Sequence, residues 1–232
     1  MNKYLKIIEK FYDINRYSPT KDILEDFRQL KKEIFANIKY VIKFTFYEKN
    51  KGCDNYAFEN EIKWLSYLQK YDCIPRLFAT KIYKNDIYIL MENIKGNSLD
   101  NLTLKEYIFI KKNFYKFKNE LMNILDLLKK ENLLHRDIRP HNLILLNNKN
   151  ELEVKLIDFQ YMVKFGEKLE LEDNQKEHYN RVLKNIGDIY RNKVIELDSF
   201  ENDRFAIEKI INEFDKKNIF VFALKKVFRW KS

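Results

Sequence analysis

One short polar run limits what this chain can fold into more than any other feature. Leu133-Leu134 are followed by His135-Arg136-Asp137-Ile138-Arg139-Pro140-His141-Asn142, and the run comes straight after a stretch of helical periodicity. Such a density of charged and polar groups between apolar segments is costly to bury unless it serves a ligand or a charge network. Asp137 and Asn142 are five residues apart, so on a curled loop both side chains can turn into one cavity. A second acid, Asp158, sits at the end of the apolar run Leu156-Ile157, where it could meet the first loop. The fold must therefore present two polar loops side by side.

The frame around those loops follows from hydrophobic periodicity. Residues 22–30 fit either a strand or a helical turn. Residues 32–46 predict a hairpin, with Asn37 in the turn and Tyr40, Ile42, Phe44 and Phe46 on one face of the second strand. Residues 55–70 switch to helical spacing, with Phe58, Ile62, Leu65 and Leu68 on one stripe. Two strands, 76–83 and 87–91, follow around Lys84-Asn85-Asp86. Beyond the connector at 92–96 the periodicity predicts one long helix over 109–130. Its core face is Phe114, Phe117, Leu121, Ile124, Leu125 and Leu128. A hairpin (143–146 and 152–157) is inserted next, and the last 70 residues read as mostly helical. This order predicts a strand-rich lobe over residues 1–93 and a helical lobe over 94–232, with a cleft between them.

Composition excludes several classes. Gly52, Gly96, Gly166 and Gly187 are far apart, so the chain has no Walker A loop and no G-x-G-x-x-G turn. Cys53 and Cys73 lie twenty residues apart with no nearby histidine, which argues for free thiols and against a disulfide scaffold or zinc knuckle. Residues 1–10 carry Lys3, Lys6, Glu9 and Lys10 and lack an apolar core, so they do not read as a signal peptide. The longest apolar run, residues 219–224, is too short to span a bilayer. The expectation is a soluble, cytoplasmic protein.

In sequence order, these residues resemble the protein-kinase-like superfamily. His135-Arg136-Asp137 with Asn142 resembles the catalytic loop H-R-D-x-x-x-x-N, and Asp158-Phe159-Gln160 resembles D-F-G. Val41-Ile42-Lys43 is similar to the V-A-I-K strand, and Glu61 on the next helix matches the Glu that pairs with that Lys. Residues 89–94 resemble the hinge strand. The matches keep order and spacing over residues 32–160. The resemblance implies an α+β, bilobal protein-kinase-like fold, with a β-rich N-lobe holding one helix and a shortened, mainly helical C-lobe. It implies ATP and Mg²⁺ as cofactors. Lys43, steadied by Glu61, would reach the α/β-phosphates, and Glu92 to Ile94 would offer backbone groups to adenine. Asp158 and Asn142 would hold metal. Asp137 would accept or orient the substrate hydroxyl proton, and Arg139 would neutralise the γ-phosphate. His135 reads as structural.

Departures from the family pattern narrow the reading. No glycine loop precedes the hairpin, so the phosphates need another cover, with Arg28 a candidate. Gln160 replaces the Gly of D-F-G, and no A-P-E follows. No Ser or Thr occurs from Leu104 through Asp198, so activation by Ser/Thr phosphorylation in the segment after Gln160 is not expected. Arg136 is then a fixed structural charge set against an acidic residue. The 72 residues after Gln160 are similar in scale to the small heptose and Kdo kinases of lipopolysaccharide core assembly and to RIO-type kinases.

The chain's net charge of +9 is concentrated at one end. Lys216, Lys217, Lys225, Lys226, Arg229 and Lys231 stand in residues 216–232 without a single acid. At helical spacing Phe220, Ala223, Leu224, Val227 and Phe228 share a face opposite Lys225, Lys226 and Arg229. That segment fits an anionic membrane surface, or a terminal helix docked on its lobe with solvated lysines. No nucleic-acid motif accompanies the charge, so no such partner is expected. The function expected is an ATP- and Mg²⁺-dependent kinase acting on a hydroxyl, with a lipopolysaccharide-core sugar or related glycolipid leading as acceptor. A protein serine/threonine kinase and a non-catalytic pseudokinase scaffold are the alternatives.

Overall fold

The computed structural model describes residues 28–31, 34–36, 39–44, 53–83, 86–148, 151–167, 199–216, 218–219 and 221–223. Residues 22–27 of the strand-or-helix stretch 22–30, and residues 217, 220 and 224–232 of the basic segment 216–232, lie outside these residues, as does most of the helical expectation for the last 70. The chain divides into two compact units. One is Met1–Lys70 with Pro75–Lys95, and the other is Tyr71–Ile74 with Gly96–Ser232. The described elements make an α+β fold.

The first unit is built on a sheet of order β1-β2-β3-β5-β4. Its strands are β1 (Arg28–Lys31), β2 (Ile34–Ala36), β3 (Tyr40–Phe44), β4 (Leu77–Tyr83) and β5 (Asp86–Glu92). The expected hairpin is present: β2 and β3 pair antiparallel with Ile34 opposite Lys43. Strand parity puts Ile42 (buried) and Lys43 on opposite faces. The β4–β5 register, Tyr83 opposite Asp86, leaves two residues for the link, a length typical of tight hairpins. Helix α1 (Cys53–Leu68) packs on β4 and β5. Phe58, Trp64, Leu65 and Leu68 are buried, whereas Ile62 is partly exposed. The Trp64 indole donates to Asn60 Oδ1 at 3.0 Å, one turn earlier, so its polar N–H is satisfied inside the packed face.

The second unit holds α2 (Leu104–Lys112), α3 (Phe114–Lys130) and α4 (Phe200–Lys216). It also has a three-stranded sheet β6-β8-β9 (Gly96–Ser98, Leu143–Asn148, Glu151–Leu156) and a two-stranded ladder of β7 (Leu133–Leu134) with β10 (Val163–Lys164). The single helix expected over 109–130 is instead two helices meeting at Asn113. The Asn113 side chain donates to the Phe109 carbonyl at 2.9 Å, and its N–H closes the end of α2. Asn competes locally with the helical ladder, and here it ends one helix and starts another. At its other end α2 opens on a capping box, with Thr103 and Glu106 bonded reciprocally.

The α3 stripe forms the centre of this unit, packed against β9 and α4. Phe117, Leu121, Ile124, Leu125 and Leu128 are buried, and Phe114 lies partly exposed at the first turn. Strand β6 runs so close to β8 that a Cβ on Gly96 would meet the Leu145 carbonyl oxygen at 2.1 Å. Only glycine fits there. Phe222 is buried, its ring stacked on Tyr107 at 4.0 Å. Phe222 is not on the apolar face expected at 220, 223, 224, 227 and 228, and of those five positions only Ala223 is among the described residues. No described helix is long and apolar enough to cross a membrane.

Candidate active site

The first unit holds a buried ion pair. Lys43 lies in the middle of β3 and extends from the face opposite Ile42. Glu61 is on the buried side of α1, two turns before Leu68. The Lys43 Nζ stands 2.7 Å from Glu61 Oε1, with Glu61 1 % and Lys43 13 % exposed. Glu59, two residues away, is exposed, so the helix phase selects Glu61. A buried carboxylate on an otherwise apolar stripe is costly unless paired, and Lys43 pairs it. After β5 the backbone becomes irregular through Ile94. The Glu92 N–H donates to Arg76 O at 2.8 Å and the Asn93 N–H to Lys39 O at 2.9 Å. Those two donors are used within the unit itself.

The second unit contributes the polar loop. It leaves β7 at His135 and ends in the 3₁₀ turn Pro140–Asn142, where Pro140 stands at the first position, a place that needs no N–H. Asp137 and Asn142, each 1 % exposed, are brought together. The Asn142 amide donates to Asp137 O at 2.8 Å and to Asp137 Oδ2 at 3.0 Å. Arg139 closes the other side, with its Nη2 donating to Oδ2 at 2.6 Å and its Nε 2.6 Å from Oδ1. Burial pushes the Asp137 carboxyl up to about 6, against the pull of Arg139, while neighbouring Asp158 pushes it further up. The loop thus holds a carboxylate whose titration lies close to neutrality.

Beneath the loop stands a residue that the sequence reading did not single out. Asp203 of α4, 2 % exposed, accepts the His135 N–H at 2.7 Å and the Arg136 N–H at 3.1 Å. Arg136 has φ of 65°, a left-handed conformation that costs roughly 1–3 kcal/mol and needs support from its surroundings. Asp203 supplies that support and is the acidic neighbour of the Arg136 charge. Burial raises the Asp203 carboxyl to about 6, and the two backbone N–H groups pull it down. One signal of it was visible. Asp203 sits on the same helical stripe as the buried Ile207, Ile210 and Phe214, an odd place for an acid.

Asp158 follows β9 with φ of 70°, left-handed like Asn132 and Arg136. Phe159 behind it is fully buried, and its ring meets the His135 ring edge-on at 5.5 Å. His135 itself is fully buried, and desolvation depresses its imidazole to about 4, so it is neutral near pH 7. This is a packing and hydrogen-bonding residue: its Nδ1 accepts the Asp137 N–H at 3.3 Å.

The donors available for a metal suit magnesium. Among the described residues no cluster of three His, Cys, Asp or Glu side chains forms a protein cage. Mg²⁺ prefers one or two hard oxygen donors together with phosphates and water, which the Asp158 carboxylate and the Asn142 amide oxygen can provide. The Asn142 amide nitrogen is already bonded to Asp137, so its oxygen is the atom that would face a metal.

A five-stranded sheet with a Lys–Glu pair and a helical unit with paired Asp–Asn and Asp loops define the protein-kinase-like class. Residues 29–213 match the protein kinase domain family, and the chain belongs to it. A dual specificity protein kinase of Dictyostelium discoideum, zakA, is 40 % identical over 88 residues, covering 37 % of this chain and 11 % of the relative. Serine/threonine-protein kinase B of Synechocystis is 30 % identical over 102 residues, 44 % of this chain and 17 % of the relative. Calcium/calmodulin-dependent protein kinase type 1 of Caenorhabditis briggsae is 26 % identical over 161 residues, 63 % of this chain and 45 % of the relative. The chain spans less than half the length of these curated relatives. Among solved structures, WbdD bound to a kinase inhibitor aligns over 80 % of this chain and 45 % of its own, at 18 % identity and a TM-score of 0.46.

Proposed function

We infer that the chain transfers the γ-phosphate of ATP to a hydroxyl group in a Mg²⁺-dependent reaction. The observation that carries this reading is Asp137: a buried carboxylate fixed by Asn142 and Arg139, with its titration raised to about 6. A general base works best when its pKa lies near the operating pH. Asp137 accepts or orients the acceptor hydroxyl proton, and Asn142 holds it in the required rotamer. Lys43 draws on the α/β-phosphates, kept extended by Glu61. Arg139 lowers the Asp137 pKa and brings a fork-shaped cation to the region of the transferred phosphoryl group. Adenine contacts fall to the Glu92 carbonyl and to Ile94, because the Glu92 and Asn93 N–H groups are used elsewhere. Asp158 and Asn142 hold the metal, which when bound neutralises phosphate charge and fixes the in-line geometry.

The acceptor we favour is a sugar of lipopolysaccharide core or a related glycolipid, phosphorylated at the cytoplasmic face of the membrane. The missing A-P-E segment and the basic residues 216–232 support it. Similarity to a dual specificity protein kinase and to a serine/threonine-protein kinase favours a second acceptor, a protein serine or threonine. Incubation with γ-labelled ATP, Mg²⁺, core glycolipid and a mixed protein substrate separates the two. Label in the lipid fraction supports the first reading, and label on protein replaces it. Nucleotide bound without transfer to either, or hydrolysis, makes the chain a scaffold.

A further inference from the structure

The stretch that follows Asp158 carries no A-P-E anchor, yet several contacts hold it. Phe159 is buried against His135. Val163 and Lys164 pair with Leu134 and Leu133. The Phe165 N–H donates to Asn132 O at 2.8 Å. The Phe165 ring then stacks on Phe200, with centroids 5.0 Å apart and planes at 26°. Phe200 opens α4, and Asp203 on the same helix, less than one turn further, holds the His135 and Arg136 amides. One helical turn therefore grips the catalytic loop with a carboxylate and the metal-binding stretch with a ring.

We propose that Phe165 and Phe200 are positioning residues for Asp158: their stack clamps residues 158–165 to α4 and so fixes the metal-binding carboxylate. The proposal rests on the kinase reading above. Three observations carry it. Asp158 has φ of 70°, a left-handed conformation that the structure around it has to hold. Upstream the flank is the six-residue β9, but downstream it is the two-residue β10, too short to hold by itself. Finally, Phe165 is 47 % exposed, so the stack lies at the surface and its role is to pin a short return strand. A fixed aromatic clasp does here what a regulated anchor does elsewhere, and it requires no modified residue.

The test uses the full chain with Phe165→Ala and Phe200→Ala, and Phe165→Tyr as the conservative partner. Amide hydrogen exchange without metal or nucleotide is the first readout. Each alanine variant should raise exchange across residues 158–164 by roughly tenfold, as expected for local opening. The His135 and Arg136 amides, held by Asp203, should exchange as in wild type, and Phe165→Tyr should restore slow exchange throughout. The second readout is Mg²⁺ titration of the binding of a fluorescent ATP analogue. Phe165→Ala should raise the apparent Mg²⁺ constant several-fold and leave analogue binding in EDTA unchanged. Unchanged exchange at 158–164 would overturn the clasp. So would faster exchange that includes His135 and Arg136 equally, which marks general destabilisation. A wild-type chain binding the analogue with no Mg²⁺ dependence would overturn the kinase reading instead, with exchange still deciding the clasp.

Discussion

Replacing Asp203 by alanine removes one buried carboxylate and strands two buried donors, the His135 and Arg136 amides. Each stranded donor costs about 1–3 kcal/mol, so the pair costs about 2–6 kcal/mol. Against this stands the penalty that the wild type bears for ionising Asp203 in the interior. Its carboxyl is raised from 3.8 to about 6, a shift of roughly two units, or about 3 kcal/mol at pH 7 and above. The sign follows from the direction of the shift. A raised carboxyl pKa favours the folded state fully below 3.8 and loses that contribution as pH climbs through 6. Between pH 8 and pH 5 the wild type regains on the order of 1 kcal/mol from this group, and alanine regains none. Urea unfolding of both proteins at the two pH values measures the difference. The destabilisation by Asp203→Ala should be larger at pH 5 than at pH 8 by on the order of 1 kcal/mol. A gap that is absent, or of opposite sign, would refute the assignment of Asp203 as a desolvated acceptor of backbone N–H groups.

Other outcomes follow from the same geometry. The pH–rate profile should show an acidic limb near 6, set by Asp137. Arg139→Gln should move that limb upward, because Arg139 pulls the Asp137 pKa down; a profile unchanged by the substitution would contradict their coupling. Gly96→Ala should lower stability by at least about 1 kcal/mol in thermal unfolding, since its Cβ would meet a backbone oxygen at 2.1 Å. Leu121→Ala, at the centre of the α3 stripe, should cost about 2–5 kcal/mol by the same measurement.

Local pattern carried much of this molecule, and long-range pairing carried the rest. Alternation along Tyr40–Phe44 placed Lys43 opposite Ile42, and helical spacing placed Glu61 within the packed stripe. Those two rules suffice to bring the pair together once α1 covers the sheet. The Asp137–Asn142 proximity was legible because five residues on a tight loop return to one point. The helix break at Asn113 was not, because the apolar period continues across it and only a side-chain bond to the Phe109 carbonyl ends the ladder. Asp203 lies 67 residues beyond Arg136 and meets it through the backbone N–H, so no motif announces it. The Phe165–Phe200 stack likewise joins two residues that no spacing rule connects.

Single-turnover transfer from γ-labelled ATP tests the central claim most directly, with wild type and Asp137→Asn compared under Mg²⁺ and saturating acceptor. Asparagine preserves the shape of Asp137 and one acceptor oxygen for Arg139 and Asn142, and removes the negative charge together with the capacity to take a proton. The account predicts transfer by the wild type, a loss of about 10²-fold or more in the variant, and equal nucleotide binding by both. Equal transfer rates in the two proteins would contradict it.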